Sequence, residues 1–210
     1  MKKIINVIKG TIQSERKIMI FNIIVLLIGV IFGSLFINFV SKVDRKILIN
    51  DVIKYISDIK KLSNSVYGIN VFKDTILNNF IQLFIIFILG LSLIGIFIVV
   101  IMLFFKGFTL GLTLSTIIYK YSYKGIIFAF FYVFPFTVFN LLIYIYMSFF
   151  AIYSTIKFLK AFITKGRLEF KQFLGKYILS FLISIVLMII SVLCDSYLLP
   201  ILLKIFTLSH

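Results

Sequence analysis

The sequence predicts an all-α fold, a polytopic membrane helix bundle of about five transmembrane helices. Three observations predict it. Hydrophobic residues make up 62% of the chain and charged residues only 14%, against roughly 45–50% and about 25% in soluble domains. A chain of 210 residues cannot hide that much apolar side chain from water, because small folds leave much of their surface exposed. Finally, long charge-free runs alternate with basic clusters, 22 Lys and Arg against 7 Asp and Glu for a net charge of +15. Bases flanking apolar runs are attracted by anionic headgroups, so membrane lipids are the expected partners and nucleic acid is not. Residues 1–210 read as a single membrane domain.

Each element follows in order. Residues 1–17 carry Lys2, Lys3, Lys9, Arg16 and Lys17 against Glu15, with Ile4, Ile5, Ile8 and Ile12 between them. They read as a cytoplasmic interfacial segment. Ile18 to Val40 is the first span, about 34 Å long as a helix and sufficient for a core of about 30 Å. It exceeds the apolar core of a signal peptide and no A-x-A-like cleavage site follows, so it is expected to be retained.

Residues 41–79 form an extracytoplasmic loop with an amphipathic helix, because Ile49, Val52, Ile53, Ile56 and Ile59 recur at helical spacing. That helix either rests on the membrane or on the protein's own helix ends, or it presents Ile49, Val52, Ile53 and Ile56 to an extracytoplasmic partner. Phe80 to Phe105 reads as the second span and ends abruptly at Lys106. Gly107 to Tyr119 is a short third segment that either crosses or dips in as a re-entrant turn.

Gly125 to Ile156, with Pro135 inside it, is either one Pro-kinked helix or a broken, hairpin-like fourth segment. Irregular backbone at membrane depth demands a packed bundle around it. Residues 157–176 are a basic cytoplasmic linker, with Lys157, Lys160, Lys165, Arg167, Lys171 and Lys176 against Glu169. Tyr177 to Cys194 is the last span and stops at Asp195. The positive-inside rule places the N-terminus and the linker in the cytoplasm.

Chemistry is sparse. Cys194 is the only cysteine and His210, the last residue, the only histidine, so no intrachain disulfide and no Cys-based metal cluster can form, and a His-based metal site is not expected. No ionisable residue falls inside a span as read here, which argues against proton relays, ion paths and intramembrane proteases. No catalytic, metal or cofactor residue is predicted, and no enzyme. The neutral polar residues of the spans, Asn22, Asn38, Gln82, Ser92, Thr109, Thr113, Ser115, Thr137, Asn140, Ser184 and Ser191, read as interhelical hydrogen-bonding groups of about 0.6–2 kcal/mol each. Gly29–Gly33 and Gly107–Gly111 have the four-residue spacing that lets another helix backbone approach closely.

The stretch LGLSLIGIFIVVIMLFFKGFTLGLTLS, with Gly90, Gly95, Lys106, Gly107 and Gly111, resembles the central signature of the stage II sporulation protein M family. A second Lys-Gly step follows at Lys124-Gly125, then an apolar helix with a central proline at Pro135. The closing CDSYLLP, with Tyr197 and Pro200, is similar to the family's acidic-x-Tyr-x-x-Pro segment. Two positions depart from the pattern: Gly95-Ile96-Phe97 stands for Gly-Ile-Pro, and Pro135-Phe136-Thr137 lacks the polar pair after the proline. The resemblance implies a non-catalytic scaffold in the septal or engulfing membrane of a spore-former. That scaffold would anchor the peptidoglycan hydrolases of engulfment, stage II sporulation proteins P and D, and its oligomeric state is left open. Related proteins also occur in bacteriocin clusters, so a permease or immunity subunit of an export system stays as the alternative.

Overall fold

Apolar runs that find no water must close their backbone hydrogen bonds within themselves, and among the described residues this chain does so in six long helices. The structure is a computed structural model that describes residues 10–61, 65–133, 136–164 and 170–208. A helical turn at residues 10–14 leads into α1 (Arg16–Phe39), followed by α2 (Lys42–Lys61), α3 (Ser65–Leu89), α4 (Gly95–Val133), α5 (Phe136–Thr164) and α6 (Phe170–Leu208). Among the described residues there is no strand. Among them, five segments are long and apolar enough to cross a membrane: Arg16–Phe39, Phe72–Leu89, Gly95–Tyr123, Thr137–Ile163 and Phe173–Cys194.

The second and third of these differ from the sequence reading. The run Phe80 to Phe105 is not one helix. It is interrupted by a turn at residues 90–94, where α3 ends and α4 begins. The turn is itself apolar, so a search for charge-free runs passes through it. The span before it starts at Phe72 and so takes in residues 72–79, which charge alone assigns to the outer loop. Lys73 and Asp74 sit in its first turn, where long or polar side chains reach the interface. Residues 107–119 lie in the later part of α4, within a crossing that begins at Gly95.

The turn at 90–94 keeps its backbone satisfied. The Gly90 and Leu91 amides donate to Ile86 and Ile88, and the Ser92 and Gly95 amides to Leu89 and Ser92. The Thr155 hydroxyl on α5 donates to the Gly90 carbonyl at 3.1 Å, and the Tyr177 hydroxyl on α6 donates to the Phe87 carbonyl at 2.8 Å. Gly90 is required by a close approach, because a Cβ there would strike Ala151 and the Tyr177 hydroxyl. Leu91, Leu93, Ile94 and Phe97 point outward, an apolar tip of the kind that rests in lipid.

α4 does not run straight to Val133. Ser122 has φ 50° and ψ −129°, a conformation that side-chain-bearing residues rarely hold. The chain doubles back there, and Gly125 lies against the Ile117 carbonyl and Ile118. Pro135 lies outside the described residues.

Helix directions follow from which residues meet. α1 and α4 run parallel, since Gly29 meets Phe104 and Gly33 meets Phe108. α3 runs parallel to α5, with Asn79 at Tyr144 and Gly90 at Thr155. α6 runs antiparallel to both, with Phe181 against Phe87 and Ser184 against Met147. α5 is the central helix: 61% of its crossing is buried, against 17–39% for the others. The starts of α1, α4 and α6 and the ends of α3 and α5 therefore share one end of the bundle.

That arrangement makes an expectation about sidedness. With Cys194 replaced by Ser, single cysteines at Tyr123 and Phe162, 79% and 80% exposed, should react with a membrane-impermeant maleimide from opposite sides. Labelling of both from one side of sealed vesicles would contradict the crossing at Gly95–Tyr123.

Candidate functional site: a glycine seam and a polar cleft

The most extensive helix contact in the molecule is between α1 and α4, and glycine makes it possible. Asn22, Leu26, Gly29, Gly33 and Ile37 form the buried face of α1. A Cβ at Gly29 would overlap the Phe104 carbonyl oxygen, and one at Gly33 the Phe108 carbonyl oxygen. In return, a Cβ at Gly107 would overlap the Leu26 carbonyl oxygen and one at Gly111 the Val30 carbonyl oxygen. The two glycine pairs thus lie against each other's helix, backbone on backbone. In lipid, where apolar side chains gain nothing by leaving the solvent, such packing is a main source of helix association, aided by Cα–H···O contacts.

Aromatic rings close the seam's edges. Phe32 meets Phe104 edge to face at 6.1 Å, and Phe36 meets Phe108 at 5.3 Å. The Ser34 hydroxyl donates to Val30 at 2.8 Å and lies 3.3 Å from the Gly111 carbonyl. At the α2 end, Arg45 donates to the Tyr119 hydroxyl at 3.1 Å and to the carbonyls of Asn38 and Val40 at 3.1 and 3.3 Å. α2 is thereby clamped to α1 and α4.

One residue along from Gly107, Lys106 faces another way. It lines a cleft of about 440 Å³ between α3, α4 and α5, with Gln82, Thr109, Tyr144 and Ser148 as the other polar groups and Ile86, Met102, Leu103 and Phe105 as apolar wall. Lys106 Nζ lies 4.3 Å from the centre of the Tyr144 ring. Tyr144 is buried, and its hydroxyl donates to Gln82 Oε1 at 2.8 Å, with Asn79 Oδ1 at 3.2 Å. Ser148 is fully buried, and its hydroxyl has no partner among the described residues. Phe105 and Thr109 are exposed at the cleft's mouth, so it opens on the side that lipid covers.

Lys106 overturns the expectation that no ionisable group lies inside a span. It lies about 16 Å along α4 from Gly95 at 1.5 Å per residue. Leu26, its neighbour's contact, is about 14 Å along α1 from Lys17 by the same measure. Both place it near the middle of a core of about 30 Å. A lysine there costs about 2.5–3.5 kcal/mol on insertion scales. A ring face returns about 0.5–2 kcal/mol. No carboxylate pairs with it among the described residues, and no acidic metal-binding cluster occurs among them.

Other predicted positions fall as follows. Gly90 and Gly95 bound the turn, with a Cβ at Gly95 overlapping the Leu89 carbonyl. Gly125 packs beside the reversal at Ser122. Ile49, Val52 and Ile53 on α2 are half-buried, while Lys46, Asn50, Asp51 and Lys54 are exposed, and α2 lies against α4 and α6. Ile56, Lys124, Tyr197 and Pro200 are placed by backbone alone, their side chains lying outside the described residues, as Pro135 does entirely. Of the neutral polar residues, Gln82 does bond across helices. Ser184 bonds both ways, its hydroxyl lying 2.9 Å from the Ser180 carbonyl of its own helix and 3.7 Å from Met147 Sδ on α5, whereas Thr109, Thr113 and Ser115 donate to carbonyls of their own helix, and the fully buried Asn22 amide has no partner among the described residues. Tyr144 and Ser148 were not singled out by sequence; the signal was a hydroxyl-bearing face on the helix that turned out central.

The family model for stage II sporulation protein M matches residues 22–200. The chain belongs to that family, and it is a membrane protein with several apolar helices. No curated protein and no solved structure matches it. The matched stretch contains both halves of the glycine seam and every residue of the cleft.

Two substitution series probe this geometry. Gly33→Ala and Gly111→Ala should each lower stability by about 1–3 kcal/mol through overpacking, read as thermal unfolding in detergent. Gly175→Ala, where nothing lies within 4 Å, should be neutral or mildly stabilising. Tyr144→Phe should cost about 1–3 kcal/mol, because the buried Asn79 oxygen and the part-buried Gln82 oxygen lose their donor.

Proposed function

We propose that this chain is a non-catalytic scaffold of the cell membrane, multi-pass with its N-terminus cytoplasmic, that anchors and localises the peptidoglycan hydrolases of forespore engulfment. The observation that carries this reading is the family match over residues 22–200, which takes in four of the five crossings whole and the first from residue 22 onward. On this reading the chain sits in the septal or engulfing membrane and holds stage II sporulation proteins P and D. The rigid α1–α4 seam suits attachment, because a fixed bundle presents the same surface to every partner. α2, clamped by Arg45, is the extracytoplasmic element placed to meet them, through the uncovered part of Ile49, Val52 and Ile53 and the exposed residues beside them.

The alternative, a permease or immunity subunit of a bacteriocin-type export system, draws on one observation. Lys106 sits inside a span, and intramembrane charges commonly mark paths for ions or substrates. An adjacent ATPase gene and bacteriocin precursor would favour it.

A deletion strain of the spore-forming host, scored with a membrane dye, should stall in engulfment; normal engulfment removes the scaffold reading. In pull-downs from detergent extracts, Gly107→Leu or Gly111→Leu should lose most of the P-type hydrolase while the variant still inserts in the membrane. Unchanged recovery with both variants would separate attachment from the seam.

A further inference from the structure

We infer that the cleft around Lys106 receives a carboxylate carried at mid-depth on the membrane-spanning helix of a partner protein. Three observations converge on the site. Lys106 brings a cation to the middle of the bilayer, where the Tyr144 ring lies 4.3 Å away and no carboxylate among the described residues pairs with it. The Ser148 hydroxyl, fully buried in the same cleft, has no partner among the described residues. The mouth, between Phe105 and Thr109, is exposed on the side that lipid covers, so the ligand arrives from within the membrane. Lysine and hydroxyl are both donors, and what two donors in a low-dielectric site lack is an anionic acceptor.

The depth selects the source of that anion. Phospholipid phosphates lie beyond a hydrocarbon half-thickness of about 15 Å, well past the reach of a lysine side chain anchored near the midplane. A second copy of this chain cannot supply it either. Its acids are Glu15, Asp44, Asp51, Asp58, Asp74, Glu169 and Asp195, and all stand at or beyond the ends of the five spans. What remains is an Asp or Glu near the centre of another protein's span. Such a residue is as costly alone in lipid as Lys106 is, and pairing relieves both. The cleft, at about 440 Å³, accommodates that side chain and its neighbours one helical turn away.

The inference rests on the attachment reading only in taking the occupant to be a protein helix, and it is tested without any hydrolase. The full chain is reconstituted in phosphatidylcholine vesicles with a synthetic Leu/Ala transmembrane peptide carrying one central Glu, or a central Gln as control. Association is read by energy transfer between labels. The Glu peptide should bind about tenfold or more tightly than the Gln peptide, Lys106→Met should erase the difference, and Lys106→Arg should retain it. Equal binding of the two peptides overturns the proposal, as does a difference that survives in Lys106→Met. So does loss of the difference when phosphatidylglycerol is added, which would make a lipid the occupant. Circular dichroism of Lys106→Met checks that the bundle persists. Recovery of hydrolases in the pull-down with no Glu preference in vesicles sinks the site and spares the scaffold; the reverse pair of results spares the site alone.

Discussion

The bundle depends on one contact, the backbone-to-backbone approach of α1 and α4. Two helices in lipid have no hydrophobic reason to meet, so association rests on how closely they pack. Four glycines, Gly29, Gly33, Gly107 and Gly111, each face a carbonyl of the opposite helix. The relation is reciprocal, and any single Cβ would push the helices apart along the whole seam. Phe32, Phe36, Phe104 and Phe108 then cover the edges of a contact too close to hold side chains of its own.

The seam also organises what lies beyond it. Being parallel, α1 and α4 must be separated by an odd number of intervening crossings, and α3 is the one between them. From the end of α1 the chain passes along α2, which is not a crossing, and returns through α3 to the turn at 90–94. That return forces a tight apolar connection, satisfied from outside by Thr155 and Tyr177. α5 then packs as the central helix and meets α3, α4 and α6. The outer helix α2 is tied to the same pair by Arg45, which spans the end of α1 and Tyr119 on α4. A disturbance of the seam thus bears on the turn, on the cleft and on α2.

Much of this was legible in residues alone. Composition and charge placement gave the class and the first and last spans, because Ile18 to Val40 and Tyr177 to Cys194 are bounded by charges at both ends. The glycine spacings were visible, but nothing in a single sequence says that Gly29–Gly33 packs against Gly107–Gly111 rather than on some other helix. The middle was harder for a physical reason. The turn LGLSLIG is as apolar as the helices it joins, so it carries no charge to mark it. Lys106, the charge that looks like a boundary, is interior. A rule that ends spans at ionisable residues fails at a site where one is retained inside. The polar network of Asn79, Gln82 and Tyr144 escapes notice likewise, since it joins positions more than sixty residues apart.

Why Lys106 stays at mid-depth is explained by its neighbour. A lone lysine in a lipid-facing helix would ordinarily snorkel toward an interface or rotate to a wetter sector. α4 cannot rotate. Gly107 and Gly111 must face α1, and turning the helix by one residue's arc would drive Phe108 or Lys106 into a gap that excludes even a methyl group. The seam therefore fixes Lys106 in the sector between α3 and α5, beneath the Tyr144 ring. Tyr144 is held in turn by Gln82. A charge that the fold could shed by a single substitution is instead held at an address, with its orientation set by glycines one and five positions away. That coupling, tight packing on one face of α4 imposing a cation with no carboxylate partner among the described residues on another, is the physical link between the stability of this bundle and any recognition it performs within the membrane.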